Sequence, residues 1–453
     1  MIPRPLSDIA GAVGGTLRGT DPVISSVATD SRRVEPGGLF VALAGEHADG
    51  HDFVSEAFDR GAAAALVSRR SSGQGVVQVA DTGRALLALG ADERRLMPGA
   101  RVVAVTGANG KTSTKDLAAA VLATRFRVHA SPASFNNEIG LPMTLLGARP
   151  GTEVVVAEMG ARRPGDVALL CEIARPRFVI VTNVGVAHME VFGSWEAIVR
   201  AGAEPLEWLD GSGVAIINAD DAVVRRYATR TQASVMSFGL QPTADIRAEG
   251  VALGPDARAS FVLAAGRERE PVELAVPGEH MVSNALAAAA CGIALGMTPA
   301  ECAAALKGAR VTEWRMQTFT TRSGVLVVND AYNANPESMA AAMKAARWMA
   351  KDRRLVAVLG HMAELGPIAF EEHEKLGALV VRIGVERLVT VGEPARAIAR
   401  AAIREGQLPE DVACCADAAG AVQELLAWVR AGDVVLLKGS RVAGMERVAE
   451  ALG

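Results

Sequence analysis

The sequence predicts a multidomain α/β protein built on mostly parallel sheets, and three observations carry that expectation. Short continuous apolar runs recur at 102–105, 154–157, 178–182 and 214–218, the composition of strands buried on both faces. Ala- and Leu-rich helical stretches alternate with several of them, as crossover helices between parallel strands do. The chain has 453 residues, 50% hydrophobic and 22% charged. That length exceeds what one core organises and points to about two to four domains, with three as the working number.

Taken in order, a first segment runs to about residue 98 and ends in the polar, helical-looking ADERRLMPGA, after which a strand opens a new unit. A second division falls at 307–312, where an Ala-rich helix at 284–295 and its neighbour give way to strands at 325–329 and 355–359. The remainder, with strands at 387–391 and 434–437, reads as a small Rossmann-like doubly wound domain. The expected domains are therefore 1–98, 99–311 and 312–453.

A net charge of -4 offers no whole-chain attraction to polyanions, so a small-molecule substrate is expected and nucleic acid is not. Five cysteines without CxxC or Cys/His ligand spacing fit a reducing cytoplasm. The opening MIPRPLSDIAGAVGG lacks a basic region followed by an apolar one, and no window reaches the ~18 apolar residues that span a bilayer. A soluble, unprocessed chain is expected, and a monomer is the plainer expectation.

The segment VAVTGANGKTSTKDLAAAVL reads as buried strand, glycine turn and helix. Gly107 and Gly110 let backbone N–H groups face a phosphate, and the helix start adds partial positive charge. Lys111 is suited to β/γ oxygens and Thr112 to magnesium, with Ala108, Asn109 and Ser113 completing the cradle. Glu158 follows the apolar run 154–157, where an open α/β sheet presents side chains to a ligand, and a carboxylate there suits magnesium.

The form TGxxGKTS resembles the Mur ligase and folylpolyglutamate synthase superfamily, and further segments resemble it in order over nearly the whole chain. FNNEIGLPMTLL, AEMGARRPGD, NVGVAHMEVFGS, NDAYNANPESM and KGSRVAGMERV look like the branch of the Mur ligases that adds D-alanyl-D-alanine. The resemblance implies an ATP- and Mg2+-dependent ligase of peptidoglycan precursor synthesis. Its substrates would be a UDP-N-acetylmuramoyl tripeptide and D-alanyl-D-alanine, joined through an acyl phosphate.

It also implies roles residue by residue. Glu158 and His188 would hold metal; Asn137, His280 and Asn284 would lie at the nucleotide; Asp330 would hold ribose; Arg315 would swing to the γ-phosphate. Ser31 and Arg32, in DSRRVEPGGLFVALAGEHADGHDF, would contact the uridine diphosphate, and Tyr332, Asn333, Asn335, Lys438 and Ser440 the acceptor.

Three positions depart from the family pattern. Gly202 stands where relatives carry a lysine that becomes carbamylated, and no lysine lies between Lys115 and Lys307. Glu204 is one substitute carboxylate, and a weaker site formed by His188 and phosphate is another. Trp314 replaces a usual glycine, implying a stiffer hinge, and His361 replaces the acid of GDM. Two other readings stay open: a Mur-type ligase with another acceptor, and a degenerate nucleotide-binding scaffold.

Overall fold

The computed structural model describes every residue except Glu46, His47, Ser72 and Ala187, the last of which belongs to the NVGVAHMEVFGS segment. The apolar runs become three main sheets. The N-terminal sheet has five strands, ordered Thr16–Gly19, Gly75–Gln78, Ala64–Val67, Leu39–Val41 and Val27–Ala28, parallel except for the first pair. The helix Thr82–Arg95 follows it, started by an Asp81 side chain that accepts from Arg84 N, and docks on the central unit. Gly90 makes that approach possible, since a Cβ there would stand 2.8 Å from Pro142.

The nine-stranded central sheet places Arg101–Thr106 between Val154–Glu158 and Phe178–Val181, all parallel and buried along almost their whole length. At its far edge stand three strands joined antiparallel, Ile246–Leu253, Arg258–Ala265 and Glu268–Pro277. A search for continuous apolar runs misses them because their buried residues alternate with exposed Arg, Ser and Glu. The helix Met281–Ala294 is buried almost all round and packs against the helix Lys111–Ala123. It starts three residues earlier than expected, so Asn284 lies inside its first turn.

The C-terminal sheet runs Gln317–Thr320, Leu326–Asn329, Val434–Lys438, Leu355–Gly360, Arg387–Val391 and Val412–Cys415, parallel but for its first pair. Its helix Pro336–Ala350 reaches the antiparallel strands, where the Trp348 indole donates to the Gly254 carbonyl at 2.8 Å. Asp116 adds a second tie, accepting from Thr312 N at 2.7 Å and Thr312 Oγ1 at 2.8 Å through one oxygen. No described helix is long and apolar enough to cross a membrane.

Candidate active site

The turn after strand Arg101–Thr106 is built as the glycine spacing requires. Gly107 and Gly110 adopt φ of 129° and 78°. A Cβ at Gly107 would lie 2.2 Å from Thr182 Oγ1, and one at Gly110 would lie 2.4 Å from Asn284 Oδ1. Asn284 thus buttresses the loop, and also accepts from Thr114 Oγ1 at 3.2 Å. The N–H groups of Ala108 and Asn109 do not face a phosphate: they pair with the Asn183 carbonyl and side chain at 3.0 and 2.8 Å. The donors left for an anion are those at the start of helix Lys111–Ala123, where Lys111, Thr112 and the buried Ser113 lie in the first turn.

Lys111 folds back on its own loop, donating from Nζ to the carbonyls of Gly107 at 2.6 Å and Ala108 at 3.1 Å. Burial pushes its ammonium below the ordinary lysine value, opposed by Glu158 and assisted by Arg315. Glu158 ends strand Val154–Glu158 with 1% of its surface exposed. One of its oxygens accepts from Asn136 Nδ2 at 2.8 Å, while Oε2 is buried without a partner. An unpaired buried carboxylate oxygen beside a phosphate loop is what a hard cation would satisfy. Among the described residues no three His, Cys, Asp or Glu side chains form a metal cluster.

Arg315 comes from the C-terminal domain and donates from Nη2 to Thr112 Oγ1 at 2.8 Å, stacked 4.2 Å from the Tyr332 ring. Its Nε is buried and unpartnered. The Thr112 hydroxyl also meets Ser134 Oγ at 2.9 Å. The two residues flanking Arg315, Trp314 and Met316, have φ of 62° and 52°, so Trp314 adopts the conformation that suits a glycine. The Arg441 guanidinium holds its ring at 4.6 Å.

His188 lines a cavity of about 50 Å3 with Gly107, Ala108, Lys111, Ala201 and Gly202, and its Nδ1 contacts a carboxylate oxygen of Glu364. At Gly202 the room for a longer side chain is taken by Tyr227, whose hydroxyl would lie 2.7 Å from a Cβ and donates to Val199 O at 2.6 Å. Glu204 is not free to replace a carbamate. Its carboxylate accepts from Gly165 N at 2.7 Å and Ala168 N at 3.1 Å, at the start of helix Asp166–Ala174. A larger open cleft of about 540 Å3, lined by Asp245, Arg247 and Glu268, lies at the antiparallel strands, away from this loop.

The remaining expected residues separate into groups. Asn335 donates to Asn109, joining the two domains, and also caps helix Pro336–Ala350. Asp330 accepts from Lys438 Nζ and from Met316 N, and His280 stands immediately before helix Met281–Ala294. Lys438 spends its donors on Asp330 and on the Asn333 carbonyl at 2.9 Å, so it is a tie within the domain in this conformation. Ser440 Oγ is buried without a partner, as is Nδ1 of His361, whose carbonyl accepts from Ser440 N at 3.0 Å. Asn137 accepts from Gly140 N at 2.8 Å and shapes its turn; its neighbour Asn136 is the one that reaches Glu158. In the N-terminal domain Ser31 donates to Glu56 at 3.2 Å, and the Arg32 fork is paired with Asp30 at 2.9 and 2.8 Å. Arg32 holds the Asp30 carboxyl down to about 2.

Three consecutive regions match family domains: residues 23–85 the Mur ligase family catalytic domain, 105–292 the Mur ligase middle domain, and 314–441 the Mur ligase glutamate ligase domain. UDP-N-acetylmuramoyl-tripeptide--D-alanyl-D-alanine ligase of Mycobacterium tuberculosis is 40% identical over all of this chain and 98% of its own length. The crystal structure of MurF from Acinetobacter baumannii superposes with a TM-score of 0.89 at 30% identity, covering 99% of this chain and 98% of that one. The Thermotoga maritima MurF ligase in complex with ADP follows at a TM-score of 0.80 and 29% identity, covering 94% and 96%. A phosphate loop on a central parallel sheet, met by an arginine from a Rossmann-like third domain, defines the class, and the chain belongs to the Mur ligase family.

Proposed function

We propose that the chain catalyses ATP-dependent ligation of D-alanyl-D-alanine to a UDP-N-acetylmuramoyl tripeptide in peptidoglycan precursor synthesis. The observation that carries the chemistry is the meeting of two domains at the phosphate loop: Arg315 Nη2 stands 2.8 Å from Thr112 Oγ1, beside Lys111. The whole-length likeness to ligases of that name supports the choice of substrates.

A carboxylate is no electrophile toward an amine until an oxygen is made a leaving group. The tripeptide's terminal carboxylate attacks the γ-phosphorus of ATP, ADP departs, and an acyl phosphate forms. The dipeptide amine then attacks the acyl carbon, phosphate leaves with the C–O electron pair, and the nitrogen loses its proton as the amide forms. Both partners of the first step are anions. Lys111 exchanges its loop carbonyls for phosphate oxygens, and Arg315, with Nε free, spreads positive charge over the transferring group.

Thr112, Glu158 and His188 are the residues that would hold magnesium, and Glu158 Oε2, buried without a partner, fits that cation. When bound, it neutralises phosphate charge. Ser31 and Arg32 are proposed for the uridine diphosphate, His280, Asn284, Asn137 and Asp330 for nucleoside and loop, and Asn333, Asn335, Lys438 and Ser440 for the acceptor. For Ser440 the support is its unpartnered hydroxyl. We place the domain divisions at 98/99 and 311/312, and read the protein as a cytoplasmic monomer. A second reading, nucleotide binding without turnover, is favoured by one observation, the Tyr227 side chain packed against Gly202. Phosphate release that requires ATP, magnesium, tripeptide and dipeptide together supports ligation; tight ATP binding without release supports the second reading.

A further inference from the structure

Glu364 follows strand Leu355–Gly360 on the C-terminal domain, yet its carboxylate meets Nδ1 of His188, 176 residues away on the central domain. The contact is anchored from both sides. The Glu364 carbonyl accepts from Glu190 N at 3.2 Å, and Arg162 Nη2 lies 3.9 Å from the other carboxylate oxygen. His188 and Glu364 both hold left-handed backbone, each with φ of 61°. Such conformations cost energy in residues with a Cβ, and two that face each other across a domain boundary are sustained by what surrounds them.

A carboxylate oxygen accepts, so the imidazole proton belongs on Nδ1 and Nε2 keeps its lone pair. The ring lines the cavity that also holds Gly107, Ala108 and Lys111. A histidine whose one nitrogen donates to a carboxylate while the other is free is the arrangement in which imidazole serves as an oriented metal ligand.

We propose that Glu364 is a positioning residue that selects the His188 tautomer presenting Nε2 to a divalent cation at the phosphate loop. The cation site is then complete only when the C-terminal domain is docked, and cation affinity is coupled to domain closure. The inference rests on the reading of His188 as a metal ligand.

The test uses the full chain with Mn2+ and a non-hydrolysable ATP analogue. Free Mn2+ is followed by electron paramagnetic resonance, and imidazole nitrogen coupling by spin-echo modulation. Glu364→Gln keeps size and the tie between domains, but an amide can accept or donate and so no longer selects one tautomer. The expected result is imidazole coupling in the unaltered protein that His188→Gln abolishes. In Glu364→Gln, Mn2+ affinity should fall about ten-fold or more with coupling weakened and the melting temperature held. Glu364→Asp, which keeps a carboxylate, should recover part of the affinity and serves if the glutamine variant folds poorly. Unchanged affinity and coupling in Glu364→Gln overturn the proposal. Absent imidazole coupling in the unaltered protein overturns the metal-ligand reading of His188 itself, and the two failures are told apart by which protein shows the loss.

Discussion

Arg315 and Thr112, 203 residues apart, are joined by a 2.8 Å hydrogen bond from the guanidinium to the hydroxyl of the phosphate-binding helix. The bond ties the C-terminal domain to the helix that starts at the phosphate loop. Arg315→Ala should therefore lower kcat/KM by about a thousand-fold. Arg315→Lys should recover little of it, because an ammonium has neither the fork nor the Tyr332 stacking. Steady-state kinetics with ATP varied checks both; a lysine variant near full activity would contradict the role.

Lys438 and Asp330 make a second test, one of stability. Their side chains are 3% and 14% exposed and paired with each other. Lys438→Met should destabilise the protein by about 3–5 kcal/mol because it strands a buried carboxylate. Lys438→Met with Asp330→Asn should restore much of that, as read by denaturant unfolding. Unchanged unfolding of Lys438→Met would contradict the buried pair, whereas a raised KM for dipeptide beside the lost stability would fit the acceptor role proposed for the same residue.

Gly202 and Tyr227 predict a packing effect. Gly202→Ala brings a Cβ to 2.7 Å from the Tyr227 hydroxyl and should cost about 1–3 kcal/mol. Gly202→Lys should lower the melting temperature without raising kcat, and Tyr227→Phe should relieve part of the strain. Calorimetry of the single and double variants decides, and a Gly202→Lys enzyme that is faster and no less stable would contradict the packing.

How much of this was legible in the sequence depends on the range of the interaction. The strand–loop–helix around Lys111 and the carboxylate ending strand Val154–Glu158 are local patterns, written in consecutive residues, and both appear where expected. Trp314, expected from its glycine position only to stiffen a hinge, holds a positive φ of 62°. By contrast, Glu364 meeting His188, Asp116 meeting Thr312, and Lys438 turned inward to Asp330 join residues 176, 196 and 108 positions apart. No spacing rule connects such pairs. Asn136 was missed beside Asn137 because only the turn decides which of two adjacent amides faces Glu158.

His373 gives a pH prediction. It is 2% exposed, donates from Nδ1 to Ala369 O at 2.6 Å and accepts from Met362 N at 3.0 Å through Nε2. Burial pushes its imidazole below the ordinary value of 6.5, so as pH falls past 6.5 the unfolded chain takes up more protons than the folded one and stability drops. Above that pH the group contributes no slope. His373→Gln, which keeps an acceptor for Met362 N, should lessen the fall in melting temperature between pH 7 and pH 5. His129, His188 and His361 are lowered in the same direction and will keep part of the slope. An unchanged slope would contradict the assignment.

The most direct test of the central claim is phosphate release by the purified chain with ATP, magnesium, UDP-N-acetylmuramoyl tripeptide and D-alanyl-D-alanine, each left out in turn. The account predicts release that needs all four and is lost in Lys111→Ala and Arg315→Ala. Nucleotide binding with no release under any combination would contradict it.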